Sequence, residues 1–479
     1  MDPNSGQPKI KHSFLKYFDR IDRVSTLAVF LFILNAIVVW RLFNLQIAKG
    51  VFYSALATDQ HEIWKKLLPE RGKIYVKEDG RKIEVVSNKE IQALYAVPKE
   101  IDKPGWTAKL VAEALNVDQL ELEKKLLQAD SSKVIIKGKL TDEEVEKIEA
   151  LNFTGLYFDD ELGRYYPDKE LLSHILGFVG YSGDQRKGQY GLEGHWEEQL
   201  KGKQGYLKAD KDLSGQWIAS VDKYIEDAQN GDSFVLTVDR TIQFYACKQL
   251  ESAVKKFKAS GGSVIVLDPV TGAIVSMCSY PDFDPNIYNK VSDPGVYNNP
   301  NIFIDYEPGS TFKAITMAGG LDSDLVKPET TYNDEGSIKL GKFIIKNSDG
   351  KSHGITDMTT VLEKSLNTGA VFVAERLGLE NFNKYVKDFG FGEPTGVELD
   401  FESAGNVSSL EKKGQTYMAT ASFGQGITVT PLQLATAYSA IANGGRLMKP
   451  YIIDEIIKSS GESTKTQPHV IRQVISERA

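Results

Sequence analysis

Apolar positions are unevenly spread along this chain, and their spacing sets out its organisation. From Val24 to Trp40 the run VSTLAVFLFILNAIVVW carries no charge, and as a helix it would reach about 25 Å, most of a bilayer's hydrocarbon core. RLFNLQI continues it to Ile47 in a helix-compatible way. Lys9, Lys11, Lys16, Arg20 and Arg23 stand ahead of the run against Asp2, Asp19 and Asp22. That bias predicts a membrane anchor over 24–47, a cytoplasmic tail over 1–23, and an extracytoplasmic remainder. A cleaved signal peptide has a shorter apolar core and a small-x-small site. No such site follows directly, so the retained anchor is preferred over a signal peptide or a buried globular helix. Asn35 within the span is tolerable near a helix partner or carries a modest insertion cost.

Between Phe52 and Lys223 short alternating runs such as KIEVVS mix with charged helical stretches such as LEKKLLQAD and DEEVEKIEALN, without a repeat. No concentration of nucleophile, base and acid types occurs there, which fits a spacer or interaction module. DSFVLTVD, residues 232–239, then reads as a strand, and Asp239 is placed to cap the following helix. Ile242, Ala246, Leu250, Ala253 and Phe257 recur at three or four residues and predict its buried face. SVIVLD, the turn DPVTG and AIVSMCS predict a β-hairpin whose turn is made by Pro269 and Gly272. Helical patterns follow beyond Tyr306, over 359–377 with a break at Ser365 to Asn367, and over 431–443. The second half is therefore α+β or α/β.

The 479-residue length suggests about three domain-sized units. With 41% hydrophobic and 25% charged residues the composition is globular. The net charge of -8 supplies no basic field for phosphate backbones, so nucleic acid is not expected as a partner. The two cysteines, Cys247 and Cys278, make no zinc pattern. Two small buried hydrophobes is the preferred reading, with a disulfide between them left open.

Ser310-Thr311-Phe312-Lys313 follows Tyr306-Glu307-Pro308-Gly309. Pro and Gly end a loop, so Ser310 is expected in the first turn of a helix, facing unpaired backbone N–H groups. Lys313, three residues on, shares its face. A lysine made neutral by burial can take the serine proton. S-x-x-K alone is weak, since it also begins at Ser13, Ser220, Ser252, Ser348 and Ser409. The Pro-Gly before Ser310 and the apolar run after it set it apart. Ser365-Leu366-Asn367 is the chain's one S-x-N. In a turning backbone its hydroxyl and amide can face one pocket, although Ser and Asn also favour plain caps and turns. Gly336 to Lys342 fits G-x-x-x-x-G-K, but Phe343 replaces the Ser or Thr of a phosphate loop. Asp282, Asp284 and Asp305 are not at metal-loop spacing, and no metal or organic cofactor is expected.

S-x-x-K with S-x-N resembles the penicillin-binding proteins, whose third motif is K-T-G. The likeness covers the chain from the anchor onward. RLFNLQI with Tyr53, Ala57 and Gln60, then Arg71-Gly72-Lys73-Ile74, is similar to the start of the exported region of class B members. Arg164-Tyr165-Tyr166-Pro167, Ile175-Leu176-Gly177-Phe178-Val179-Gly180, Gly191-Leu192-Glu193 and Leu200-Lys201-Gly202 look like its pedestal. LDPVTGAIVSM, PDFDPN and EPGSTFK look like the opening of its transpeptidase domain, and Phe423 to Gly445 is its most specific segment.

The resemblance implies a single N-terminal transmembrane helix, an elongated α+β pedestal or dimerisation domain over 48–225, and an α/β, serine β-lactamase-like transpeptidase domain over 230–479. It implies that Ser310 attacks the penultimate D-Ala carbonyl of a peptidoglycan stem peptide, with Lys313 as general base. Ser365 would relay protons and Asn367 would bind substrate. The Ser310 N–H would form half of the oxyanion hole. β-Lactams would trap Ser310, and the expected setting is septal wall synthesis in the cell membrane beside a glycosyltransferase and divisome proteins. K-T-G is expected after a helix starting near Ile475, and the sequence closes at Ala479 without it. Lys465-Thr466-Gln467 lacks the glycine, sits in a polar loop context and is rejected as the motif. A C-terminally incomplete enzyme is therefore expected, and a non-catalytic scaffold or β-lactam sensor is the rival.

Overall fold

The computed structural model describes residues 23–43, 62–128, 133–182, 185–210, 224–412 and 414–479. They belong to two compact units, Leu68–Lys203 with Ala228–Ala479, and Met1–Leu67 with Gln204–Asp227.

In the larger unit β1 (Ile74–Glu78) and the long β2 (Arg81–Ala96) form a hairpin. Helices α1 (Pro104–Leu115) and α2 (Gln119–Leu126), strand β3 (Val134–Lys137), helix α3 (Asp142–Leu151) and strand β4 (Leu156–Tyr165) follow. Helix α3 begins with a capping box in which Thr141 and Glu144 satisfy each other's backbone N–H. The helices bury Val111, Leu115, Leu122 and Ile148 against Leu94 and Ala96 of β2. The charged stretch DEEVEKIEALN is helical over 142–151, LEKKLLQAD is helical to Leu126 with 129–130 outside the described residues, and KIEVVS lies in β2.

Strand β5 (Ser233–Asp239) leads into α4 (Arg240–Phe257), capped by the Asp239 side chain on the Ile242 N–H. β6 (Gly262–Leu267) and β7 (Ile274–Tyr280) form the expected hairpin. Its turn is held by Asp268, which accepts from the Val270 N–H and the Thr271 hydroxyl. The expected face of α4 holds at Leu250, which is buried, and at Ala246, which packs beside it, and is corrected elsewhere. Ile242 and Phe257 are exposed, as is Ala253, and the residues turned inward are Gln243, Leu250 and Val254. A polarity pattern misplaces this face because Gln243 is buried with its amide fully used. It donates to Leu171 O and Met277 O and accepts from Ser276 Oγ and Met277 N. The reading of Cys247 and Cys278 as separate hydrophobes is also corrected. The rotated face brings Cys247 over β7, with its Cα 5.4 Å from that of Cys278, and the two form a disulfide.

Next come α5 (Lys313–Asp322), β8 (Thr331–Asp334), β9 (Ser337–Leu340), β10 (Phe343–Lys346), β11 (Gly354–Asp357), α6 (Met358–Glu363), α7 (Asn367–Asp388) and α8 (Pro431–Ala442). β8 pairs with β11 and β9 with β10. The G-x-x-x-x-G-K string therefore lies in a β-hairpin, not before a helix. Phe312, Ile315, Val361, Leu366, Val373, Leu377 and Phe382 form the core that joins α5, α6 and α7.

Strands β12 (Ile453–Ile457) and β13 (Ser463–Lys465) complete a seven-stranded sheet of order β13-β12-β5-β1-β2-β3, with β4 also on β2. β5 pairs in parallel with β1, Phe234 opposite Ile74, so one sheet runs from the pedestal residues into those beyond 230. Lys465 ends the edge strand β13, while Thr466 and Gln467 lie in the polar loop context expected for the string. Residues 476–479 form a turn tied to α5 by the Ser476 N–H on Asp322.

Three of the family-like segments converge on one buried ion cluster. Glu193, fully buried, accepts from Arg164 Nε and Arg71 Nε at 2.6 Å each. Arg71 also pairs with Glu197 at 2.7 Å, and Arg164 Nη1 donates to Asn88 Oδ1 at 3.1 Å. Burial pushes the Glu193 carboxyl up, but Arg164 and Arg71 outweigh it and hold it below its ordinary value.

The smaller unit holds the helix Arg23–Phe43 and an antiparallel sheet of Glu62–Leu67, Gly205–Asp210 and Tyr224–Glu226. Among the described residues no helix is long and apolar enough to cross a membrane. The side chains described in that helix are those of 31–41, all exposed. The Asn35 amide donates to Leu31 O one turn back. The basic residues of the expected tail, apart from Arg23, and positions 44–47 of the expected anchor lie outside the described residues.

The ion cluster generates a stability prediction. Glu193→Ala leaves the buried Arg164 guanidinium without its carboxylate and Arg71 with Glu197 alone, and is expected to cost about 3–5 kcal/mol, read by urea unfolding of residues 62–479. A loss below about 1 kcal/mol, as for a surface pair, contradicts the role given to the cluster.

Candidate active site

Ser310 sits in a 3-10 turn, Gly309–Phe312, that runs directly into α5. This is the helix opening expected from Pro308-Gly309, and Gly309 takes a φ of +56° that its missing side chain permits. Ser310 is exposed, while Lys313 beneath it is buried, only 3% exposed. Lys313 Nζ lies 3.2 Å from Ser310 Oγ, 2.9 Å from Ser365 Oγ and 2.5 Å from Ser365 O. An ammonium has three N–H donors, and these three oxygens accept them.

The Ser365 end of this contact depends on an unusual backbone. Helix α6 stops at Glu363 and α7 starts at Asn367; between them Ser365 adopts a φ of +55°, left-handed for a non-glycine residue. Its carbonyl and hydroxyl are both directed at Lys313 as a result. The break expected at Ser365 to Asn367 is thus present. Asn367 lies in the first turn of α7, and its Nδ2 donates to Lys346 O at the end of β10, 2.8 Å away. Lys313 contacts both Ser310 and Ser365, and Asn367 stands two residues along the same turn with its amide on Lys346 O.

The segment 423–445 fastens this arrangement from behind. Gly424 O accepts from the Gly309 N–H at 2.9 Å, and a Cβ on Gly424 would lie 2.1 Å from Gly309 O. Glu307 accepts from the Gly426 N–H, Ser422 O accepts from Thr316 Oγ1, and Tyr438 donates to Thr311 O at 2.6 Å. Helix α8 begins with a Thr430–Gln433 capping box after Pro431, a start that the sequence T-P-L-Q announces. Sequence reading gave this stretch a helix over 431–443 and a family likeness; its physical role is to lock the loop that carries Ser310.

Burial lowers the Lys313 ammonium to about 8. A neutral amine near that pH keeps two N–H donors for Ser365 and turns one lone pair to the Ser310 hydroxyl. The arrangement can therefore deprotonate an exposed serine at the mouth of a helix, as nucleophilic acyl transfer requires. Among the described residues no group of His, Cys, Asp and Glu is placed to hold a metal ion. Sequence reading missed Asp334, Asn347 and Thr368, which surround the start of α7. As a turn acid, an amide and a helix threonine they carry no distinguishing local signal.

Comparison with known proteins agrees with this geometry. The chain matches the penicillin binding protein transpeptidase domain over residues 262–479 and the penicillin-binding protein dimerisation domain over 66–236. It is 35% identical over 446 residues to stage V sporulation protein D of Bacillus subtilis, covering 91% of this chain and 68% of that protein. It is 30% identical to a peptidoglycan D,D-transpeptidase FtsI homolog of Mesostigma viride, covering 90% and 73%. With the probable peptidoglycan D,D-transpeptidase PenA of Neisseria gonorrhoeae the figures are 31%, 74% and 61%. The chain thus spans roughly two thirds of the length of these relatives. The fold is that of penicillin binding protein 2X from Streptococcus thermophilus, with a TM-score of 0.66 at 22% identity over 87% of this chain and 64% of that one. A peptidoglycan synthetase from Bifidobacterium adolescentis superposes with a TM-score of 0.64 at 26% identity, covering 87% of this chain and 79% of that one. An exposed serine over a buried lysine, a pedestal knotted by an Arg-Glu-Arg cluster and these matches converge: the chain belongs to the class B penicillin-binding proteins, a family of serine D,D-transpeptidases of peptidoglycan.

Proposed function

We propose that Ser310 is the acylated nucleophile of a peptidoglycan D,D-transpeptidase working in septal wall synthesis, and that β-lactams act on it by occupying the same serine. The observation that carries the reading is the contact of Lys313 Nζ with both Ser310 Oγ and Ser365 Oγ. Neutral Lys313 takes the Ser310 proton as Oγ attacks the penultimate D-Ala carbonyl of a stem peptide. The Ser310 N–H, at the opening of the helix, stabilises the oxyanion. As the C–N bond breaks, the proton on Lys313 passes through Ser365 to the departing D-Ala amine. An amine of a second stem then attacks the ester, its proton returns to Ser310 through Lys313, and the cross-link is formed. Asn367 holds the stem through its side-chain amide. A β-lactam follows the first half of this course, but its leaving nitrogen stays tethered and blocks the acceptor. The resemblance assigns the second oxyanion donor to a K-T-G strand, a string these 479 residues do not contain.

The run from Val24 to Trp40 supports a single-pass anchor with the N-terminus in the cytoplasm, which would place the site in the envelope beside a glycosyltransferase and divisome proteins.

In the full-length protein, fluorescent penicillin is expected to label wild type and not Ser310→Ala. The labelling rate should rise with pH through a midpoint near 8, because the base is the neutral form of Lys313 and that form grows as pH rises through its lowered pKa. Equal labelling of both proteins sinks the reading and favours the scaffold. A fluorescent fusion should fractionate with membranes and gather at the septum. Recovery in the soluble fraction contradicts the anchor, and uniform peripheral signal contradicts the septal role.

A further inference from the structure

Beside the S-x-N turn lies a fully buried carboxylate. Asp334, the last residue of β8, accepts at Oδ1 from the Gly336 N–H at 2.9 Å, Thr368 Oγ1 at 2.8 Å and Asn347 Nδ2 at 3.0 Å. At Oδ2 it accepts from Asn347 Nδ2 at 2.9 Å and the His353 N–H at 3.0 Å. Asn347 Oδ1 in turn accepts from the Thr368 N–H at 3.2 Å. Burial pushes the Asp334 carboxyl up, but the donors from Gly336, Thr368, Asn347 and His353 outweigh it and hold it below its ordinary value. It is therefore an anion, and hydrogen bonds to it are of the stronger, charge-assisted kind.

What gives this network a role is its position relative to Asn367. Thr368 is the next residue in the first turn of α7. Asn347 is the next residue after Lys346, whose carbonyl accepts from Asn367 Nδ2. One carboxylate thus fixes the backbone that carries Asn367 and the strand end that orients its amide. With one Nδ2 hydrogen committed to Lys346 O, the second Nδ2 hydrogen and Oδ1 are left to meet a ligand's amide. Lys313 and Ser365, by contrast, are held by each other and by the Ser310 loop.

We infer that Asp334 is a positioning residue for substrate binding, holding α7 and β10 in register so that Asn367 presents its side-chain amide to the acylamino group of a stem peptide or β-lactam. The inference rests on the reading of Ser310 as the acylated nucleophile and adds a division of labour, in which binding depends on Asp334 and proton transfer does not.

The test measures acylation of the full-length protein over a range of fluorescent penicillin concentrations, separating the apparent dissociation constant from the limiting acylation rate. Asp334→Ala and Thr368→Val are expected to raise the dissociation constant about tenfold, one charge-assisted hydrogen bond's worth, with the limiting rate held within about threefold and full labelling stoichiometry. Thr368→Ser, which keeps the hydroxyl, should restore wild-type binding. An unchanged dissociation constant in Thr368→Val overturns the inference. So does a joint fall of limiting rate and stoichiometry, which marks a merely structural role. Should Asp334→Ala fail to fold, Thr368→Val and Thr368→Ser decide the matter. Failure of the wild type to label at all is a different result, since it removes the reading of Ser310 itself.

Discussion

A lysine ammonium taken out of water is the constraint on which the site depends. Desolvating such an ion costs several kcal/mol unless acceptors replace the lost water. Here the replacements are Ser310 Oγ and the carbonyl and hydroxyl of Ser365. Two of the three come from another element, so α5 and the α6–α7 turn must be held at a fixed separation. The core of Phe312, Ile315, Val361, Leu366 and Val373 holds them. The same burial that makes the ammonium costly lowers its pKa to about 8 and makes it useful as a base. Stability and chemistry therefore draw on one arrangement, and the left-handed backbone at Ser365 is the strain that it accommodates.

Away from the site the pedestal shows a parallel economy. Arg71, Arg164 and Glu193 are far apart in sequence, and each belongs to a different family-like segment. They meet in a buried cluster in which two guanidiniums share one carboxylate. The strand that follows Arg71, β1, pairs with β5, and β5 runs into α4, which is linked by a disulfide to the β6–β7 hairpin. The cluster thus stands at the root of a sheet that continues past residue 230, which gives the polar segments around Arg71, Arg164 and Glu193 a structural reason.

How much was legible in the sequence follows from how local each cause is. Ser310 and Lys313 were readable because Pro-Gly and an i, i+3 spacing act within a few residues. The hairpin after Gly262 and the start of α8 were readable for the same reason. The buried face of α4 was not, since apolarity cannot reveal that the Gln243 amide is fully satisfied by Leu171, Ser276 and Met277. The Cys247–Cys278 bond was left open because it depends on that same rotation. Asp334 was invisible because its partners come from turns and strands that only the fold brings together. Sequence pattern thus located the residues of the candidate site and left out the tertiary contacts that hold them in place.

The central claim, that Ser310 is the group activated by buried Lys313, is tested most directly by mapping the site of acylation. Full-length protein is incubated with a penicillin, digested with trypsin and analysed by mass spectrometry. The account predicts an adduct of the intact penicillin mass, since ring opening loses no atoms, confined to the peptide 291–313 and located on Ser310. An adduct on any other residue, or none on a protein shown to be folded, contradicts it.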